Sequence, residues 1–159
     1  MGSPVRHRSR LVLAAGALSA APWLASGLLA AAGSPGAVVR IVVTGLRSAR
    51  GVVRACMTSH AERFPKCRGD ADAYALVVPA RGQVTLDFGH VAPGRYAIAL
   101  LHDENSNGKA DRALSLMPRE GYGFSRDAPV VMGPPRFVQA AFDVGRAPVR
   151  QTIRMRYML

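Results

Sequence analysis

Residues 94–102, Gly-Arg-Tyr-Ala-Ile-Ala-Leu-Leu-His, decide the fold class. Side chains alternate along a strand, so Tyr96, Ile98 and Leu100 share one face and Ala97, Ala99 and Leu101 the other. Both faces are apolar, which predicts a central strand covered on two sides. Pro93-Gly94 introduces it, and its end delivers His102 and Asp103 into an acidic loop.

The flanking segments follow the same logic. Val38 to Leu46 is β-branched, and Gly51 to Met57 is a second strand; the two predict a hairpin across Arg47-Ser48-Ala49-Arg50. Residues 58–70 are turn-rich, with a short helical turn near His60 to Phe64. Ala73 to Val78 and Gln83 to Phe88 come next, and Val84, Leu86 and Phe88 alternate with Thr85 and Asp87 as in a half-buried strand. Arg136 to Val144 and Val149 to Met158 close the chain. In the last, Ile153, Met155 and Tyr157 point in while Thr152, Arg154 and Arg156 point out. Seven short strands and no amphipathic helix of useful length predict an all-β fold. The expected architecture is a single antiparallel β-sandwich with one long acidic and aromatic loop.

The N-terminus reads as a Sec-type signal peptide over residues 1–32. Arg6, His7, Arg8 and Arg10 form a basic n-region, Leu11 to Leu18 begin an apolar stretch, and Ala30-Ala31-Ala32 offers a cleavage site. A short linker, 33–37, and one domain, 38–159, would remain, with no transmembrane segment in the mature chain. The expected location is periplasmic or secreted. Three of the 21 Lys and Arg residues fall in the leader, which leaves 18 against 10 acidic residues, a net charge of +8. Export argues against nucleic acid as the partner of this charge and leaves an anionic envelope surface. Cys56 and Cys67 are an even pair in an oxidising compartment and predict a disulfide.

Residues 102–111, His-Asp-Glu-Asn-Ser-Asn-Gly-Lys-Ala-Asp, place Asp103, Asn105, Asn107, Gly108 and Asp111 at positions 1, 3, 5, 6 and 9 of a calcium loop. Three side-chain oxygens and the Lys109 carbonyl would converge on Ca²⁺, with Asp111 binding directly or through water. Position 12 is Leu114, so the closing bidentate carboxylate is missing; Glu104 or Glu120 could supply one, Glu120 by folding back. The other reading is a metal-free loop, in which Asn107-Gly108 makes a tight turn and the Asx side chains cap backbone N–H groups. A His102-centred zinc or acid/base site is disfavoured, because consecutive strand residues point to opposite faces. Two further aromatics, Tyr122 and Phe124, lie on glycine-punctuated backbone. They read either as a stacking platform for a ligand or as a cover for one end of the sandwich.

Several of these pieces occur together in one family. They are Val43-x-Gly45-Leu46, Gly51-Val52-Val53, Pro93-Gly94-x-Tyr96-Ala97, the 102–111 loop, Glu120-Gly-Tyr-Gly-Phe-Ser125, Gly133-Pro134-Pro135-x-Phe137 and Tyr157. The chain resembles the exported bacterial proteins grouped as domain of unknown function 2141. The resemblance covers residues 38–158 and implies an exported β-sandwich related in shape to prealbumin-like and carboxypeptidase-regulatory-like domains. It implies no activity. This chain has Leu114-Ser115-Leu116-Met117-Pro118 where the family commonly carries a glycine before the proline.

No Gly-x-Ser-x-Gly elbow, triad order or phosphate loop is present, so the expectation is a binding or structural module and not an enzyme. Weak Ca²⁺ binding in the loop is one form of that expectation. The alternative is metal-independent recognition of an envelope glycan, lipid or protein through Tyr122, Phe124 and the Arg-rich face. The sequence names neither the envelope partner nor the oligomeric state.

Overall fold

The computed structural model describes residues 36–110, 112–113 and 117–158, the side chains of 112–113 and 117–118 excepted. The leader expected over 1–32, most of the linker, and Asp111 lie outside the described residues. Five strands come first: β1 (Ala37–Thr44), β2 (Val52–Thr58), β3 (Tyr74–Pro79), β4 (Val84–Val91) and β5 (Gly94–Asp103). The two-residue strands β6 (Arg112–Ala113) and β7 (Met117–Pro118) pair only with each other; β8 (Gly121–Phe124), β9 (Phe142–Val144) and β10 (Val149–Arg154) follow. A 3₁₀ turn at Ser125–Asp127 and one helical turn, α1 (Phe137–Ala140), lie between β8 and β9.

Two sheets form, a three-stranded one in the order β10-β1-β4 and a five-stranded one in the order β3-β2-β5-β8, with β9 also on β5. Their inner faces share one core. Val39, Ile41, Val43, Leu86 and Ile153 meet Val53, Met57, Ile98 and Leu100 there. The period-2 pattern carries this directly, since β4 alternates buried and exposed residues from Val84 to Phe88. The all-β fold with two sheets is as expected, and β5 is the central strand that its two apolar faces required.

A second, smaller core covers the outer face of the five-stranded sheet. Ala97, Phe124, Ala128 and Ala140 are buried in it, with Phe64, Tyr122, Val130 and Phe137 packed alongside. Phe64 meets Phe124 and Phe137 edge-on at 5.8 and 6.1 Å between ring centroids, the geometry that aromatic quadrupoles favour.

The pairing differs from expectation in three places. β1 and β2 do not form a hairpin; β1 pairs with β10 and β4, β2 with β3 and β5, and residues 45–51 cross from one sheet to the other. The β1–β10 pair is parallel, with Val39 to Thr44 running alongside Val149 to Arg154. The strand expected over Arg136 to Val144 is strand only from Phe142. Phe137 and Ala140 both face the outer core, and residues three apart share a face in a helical turn, not in a strand.

β8 and β9 lie end to end along one edge of β5, pairing at Ala99–His102 and Gly94–Tyr96. Ser125 fills the gap between them. Its hydroxyl accepts the Ile98 N–H at 2.9 Å and donates to the Ala140 carbonyl at 2.6 Å, satisfying the backbone donor that neither strand reaches.

Cys56 and Cys67 are joined, with Cα atoms 6.3 Å apart. The bond ties β2 to the turn-rich segment after it. Replacing both cysteines by alanine is expected to cost about 2–3 kcal/mol, which thermal unfolding would read as a fall of several degrees.

Candidate functional site

A polar network at one end of the sandwich joins the end of β5 to the 45–51 crossover and to the segment after β10. His102 and Asp103 are both fully buried, yet they serve different faces. His102 continues the inward row of Tyr96, Ile98 and Leu100. Its Nε2–H donates to the Arg50 carbonyl at 2.8 Å, and Nδ1 lies 2.6 Å from the Tyr157 hydroxyl. The same hydroxyl accepts the Arg47 N–H at 3.2 Å, which leaves its own proton for His102. Both ring nitrogens are engaged, so the imidazole locks the crossover and the chain end onto β5.

Around it Arg47 lies over the Tyr157 ring at 4.5 Å, donates to the Arg119 carbonyl at 2.8 Å, and pairs through Nε with Glu104 Oε2 at 3.1 Å. Ser48 donates to Glu104 Oε1 at 2.7 Å. The Arg47 guanidinium, assisted by Ser48 and opposed by burial, holds the Glu104 carboxyl down at about 2. The network is therefore anionic at Glu104 and cationic at Arg47 across the physiological range.

Asp103 points the other way, onto the outer face. Its Oδ2 accepts Arg54 Nε at 2.6 Å and the Gly108 N–H at 2.8 Å; Oδ1 accepts the Asn107 N–H at 3.0 Å. Burial pushes the Asp103 carboxyl up, but Arg54 and the two N–H donors outweigh it and leave the group below the ordinary carboxylate range. Asn105 Oδ1 accepts the Asn107 N–H at 3.1 Å, and Asn107 Oδ1 accepts the Lys109 N–H at 2.7 Å. The oxygens at positions 1, 3 and 5 of the calcium pattern are thus turned onto the loop's own backbone and onto Arg54. Glu120 does fold back, 4% exposed, with Oε1 accepting the Glu104 N–H at 3.2 Å. Asp111 lies outside the described residues. The geometry is that of a loop closed by Asx turns around a buried ion pair.

Of the aromatic pair, Phe124 is inside the outer core and Tyr122 is half-buried beside it. Gly121 and Gly123, which alternate with them along β8, face the other way. A Cβ on Gly121 would sit 2.4 Å from the Tyr157 ring, and one on Gly123 2.8 Å from Ile153. Tyr122 exchanges both backbone hydrogen bonds with Arg156, so β8 joins the end of the chain as well as β5. The glycines are there for close approach, which nothing local in the sequence signals.

The basic surface lies elsewhere, on the outer face of β10-β1-β4. Arg40 and Arg150 are register partners across β1 and β10, and Arg154 partners Thr44 four residues on. Arg40 pairs with Asp87 at 2.8 Å, and Arg156 with Asp127 at 3.0 Å. Arg150 and Arg154 form no salt bridge among the described residues. A shallow depression of about 150 Å³ opens on this face, lined by Val38, Arg40, Pro148, Val149 and Arg150.

The family model for an uncharacterized protein conserved in bacteria, DUF2141, matches residues 41–152. The chain belongs to the DUF2141 family. The match runs from within β1 to within β10 and takes in both sheets, the acidic loop and the crossover. Comparison of this DUF2141 chain with curated proteins and with solved structures finds no match. Among the described residues no helix is long and apolar enough to cross a membrane. The disulfide is compatible with an exported DUF2141 protein.

Proposed function

We propose that this DUF2141 protein is a periplasmic or secreted binding module that holds an anionic group of an envelope partner on the outer face of β10-β1-β4, without a metal. The observation that carries the reading is the depression between Arg40 and Arg150. It is lined by two cationic side chains, and Asp87 offsets only the first. Its volume suits a phosphate or carboxylate group and not a whole organic ligand. Exposed arginines and net positive charge favour an extended anionic surface, each arginine near such a surface contributing about 1 kcal/mol. The acidic loop supports the module as scaffold, with Arg54 standing where a calcium ion would supply positive charge.

Two measurements test this. Retention on phosphatidylglycerol vesicles and on an immobilised acidic glycan separates a lipid from a glycan source of the anion. Arg150→Glu with Arg154→Glu should lower retention on one of them more than tenfold, and both sites are exposed, so stability should move by no more than about 0.5 kcal/mol. Undiminished retention on both would refute the reading. Millimolar Ca²⁺ should leave the unfolding temperature unchanged, and a rise of several degrees would restore calcium to the loop.

A further inference from the structure

The turn-rich segment after β2 brings three ligand-bearing side chains together, independently of the basic face. Asp70 is anchored there with a side chain only 1% exposed. One of its oxygens accepts the Thr58 hydroxyl; the other accepts the Asp72 N–H at 3.1 Å and faces His60 Nδ1 at 3.0 Å. The His60 imidazole is 43% exposed, and Asp72 lies in solvent. One ligand atom from each of His60, Asp70 and Asp72 lies within 4.8 Å of the others. The disulfide ties Cys67, three residues before Asp70, to β2.

We propose that His60, Asp70 and Asp72 form a binding site for a divalent transition metal of the zinc class. Two donors about 2.1 Å from one tetrahedral ion stand roughly 3.4 Å apart, so the 3.0 Å between His60 Nδ1 and Asp70 Oδ1 needs to open by only about 0.4 Å to admit one. A metal ion takes the position of the proton these atoms share, and Asp72 turns in from solvent as the third ligand. Water completes the sphere, as in sites with three protein ligands. An imidazole among two carboxylates suits Zn²⁺ and disfavours Ca²⁺ and Mg²⁺, which take oxygen shells. Thr58, on the far oxygen of Asp70, is the outer partner that fixes the carboxylate's orientation. Neighbouring Glu62 adds negative potential at His60.

Calorimetric titration of the untagged, oxidised protein with ZnCl₂ tests the site. One Zn²⁺ per chain is expected, with affinity unchanged by millimolar CaCl₂. His60→Ala should abolish binding or weaken it at least about tenfold, Asp72→Asn should weaken it about tenfold, and His90→Ala should leave it unchanged. Asp72 is exposed, so Asp72→Asn decides the matter should His60→Ala fail to fold. Absence of stoichiometric binding overturns the proposal, as does binding that survives these two variants, is lost with His90→Ala, or yields to Ca²⁺.

Discussion

Gly51→Ala should destabilise the domain by about 2–5 kcal/mol. Gly51 has a φ of +69°, which an L side chain resists by about 1–2 kcal/mol. Space is the larger problem. A Cβ there would lie 2.0 Å from the Asp103 carbonyl oxygen and 2.7 Å from the Glu104 backbone, neither of which can rotate away as a side chain would. Backbone displacement of this kind adds about 1–3 kcal/mol. The shift would also reach further, since Arg50 one residue earlier carries the carbonyl bonded to His102, and the Gly51 carbonyl accepts the Ala80 N–H. Urea unfolding checks the size. A Gly51→Ala protein within 1 kcal/mol of the parent would show that the crossover is not held as tightly as the His102 geometry requires. Gly82→Ala is the control, with a φ of +59° but no atom within 4 Å, so only the backbone cost should appear.

The contrast between these glycines shows what was legible in the sequence. Alternation or an unbroken apolar run marks a strand, and β4 and β5 lie where the pattern puts them, while β10 starts at Val149 as expected but ends at Arg154, short of Met158. Pairing partners do not. β1 and β2 are joined by a short connection with turn-forming residues, yet each is completed by strands from later in the chain, so adjacency misleads. Gly121 and Gly123 carry no apolar signal of their own; they are shaped by Ile153, Met155 and Tyr157, some thirty residues downstream. The acidic loop was legible as a set of converging oxygens, and its metal-free reading named the Asx turns. What occupies its centre was not legible, because Arg54 lies 49 residues before Asp103 on the neighbouring strand. His60 and Asp70 are similarly separated by a loop whose course the disulfide helps to fix.

Acid should weaken the domain through Glu104 in a defined window. The Glu104 carboxyl titrates at about 2 in the folded protein, against 4.5 when unperturbed. Its folded value is depressed, so the stability it contributes is fully present above 4.5 and is lost as pH falls from there to about 2. A shift of that size corresponds to about 3 kcal/mol; because Arg47 is 38% exposed and partly screened by water, about 2 kcal/mol is the expected contribution at neutral pH. Glu104→Gln keeps the shape and removes the charge. It should therefore be about 2 kcal/mol less stable than the parent at pH 7, with the difference closing as both are titrated toward pH 2. Asp103, also held below its ordinary range, loses its contribution in the same direction, so the parent's acid limb should be steep and the variant's shallower. Chemical denaturation at a series of pH values measures both. A gap that stays constant with pH would mean that Glu104 acts through packing alone, and the Arg47–Glu104–Ser48 cluster would then be a contact and not an electrostatic clamp on the end of the sandwich.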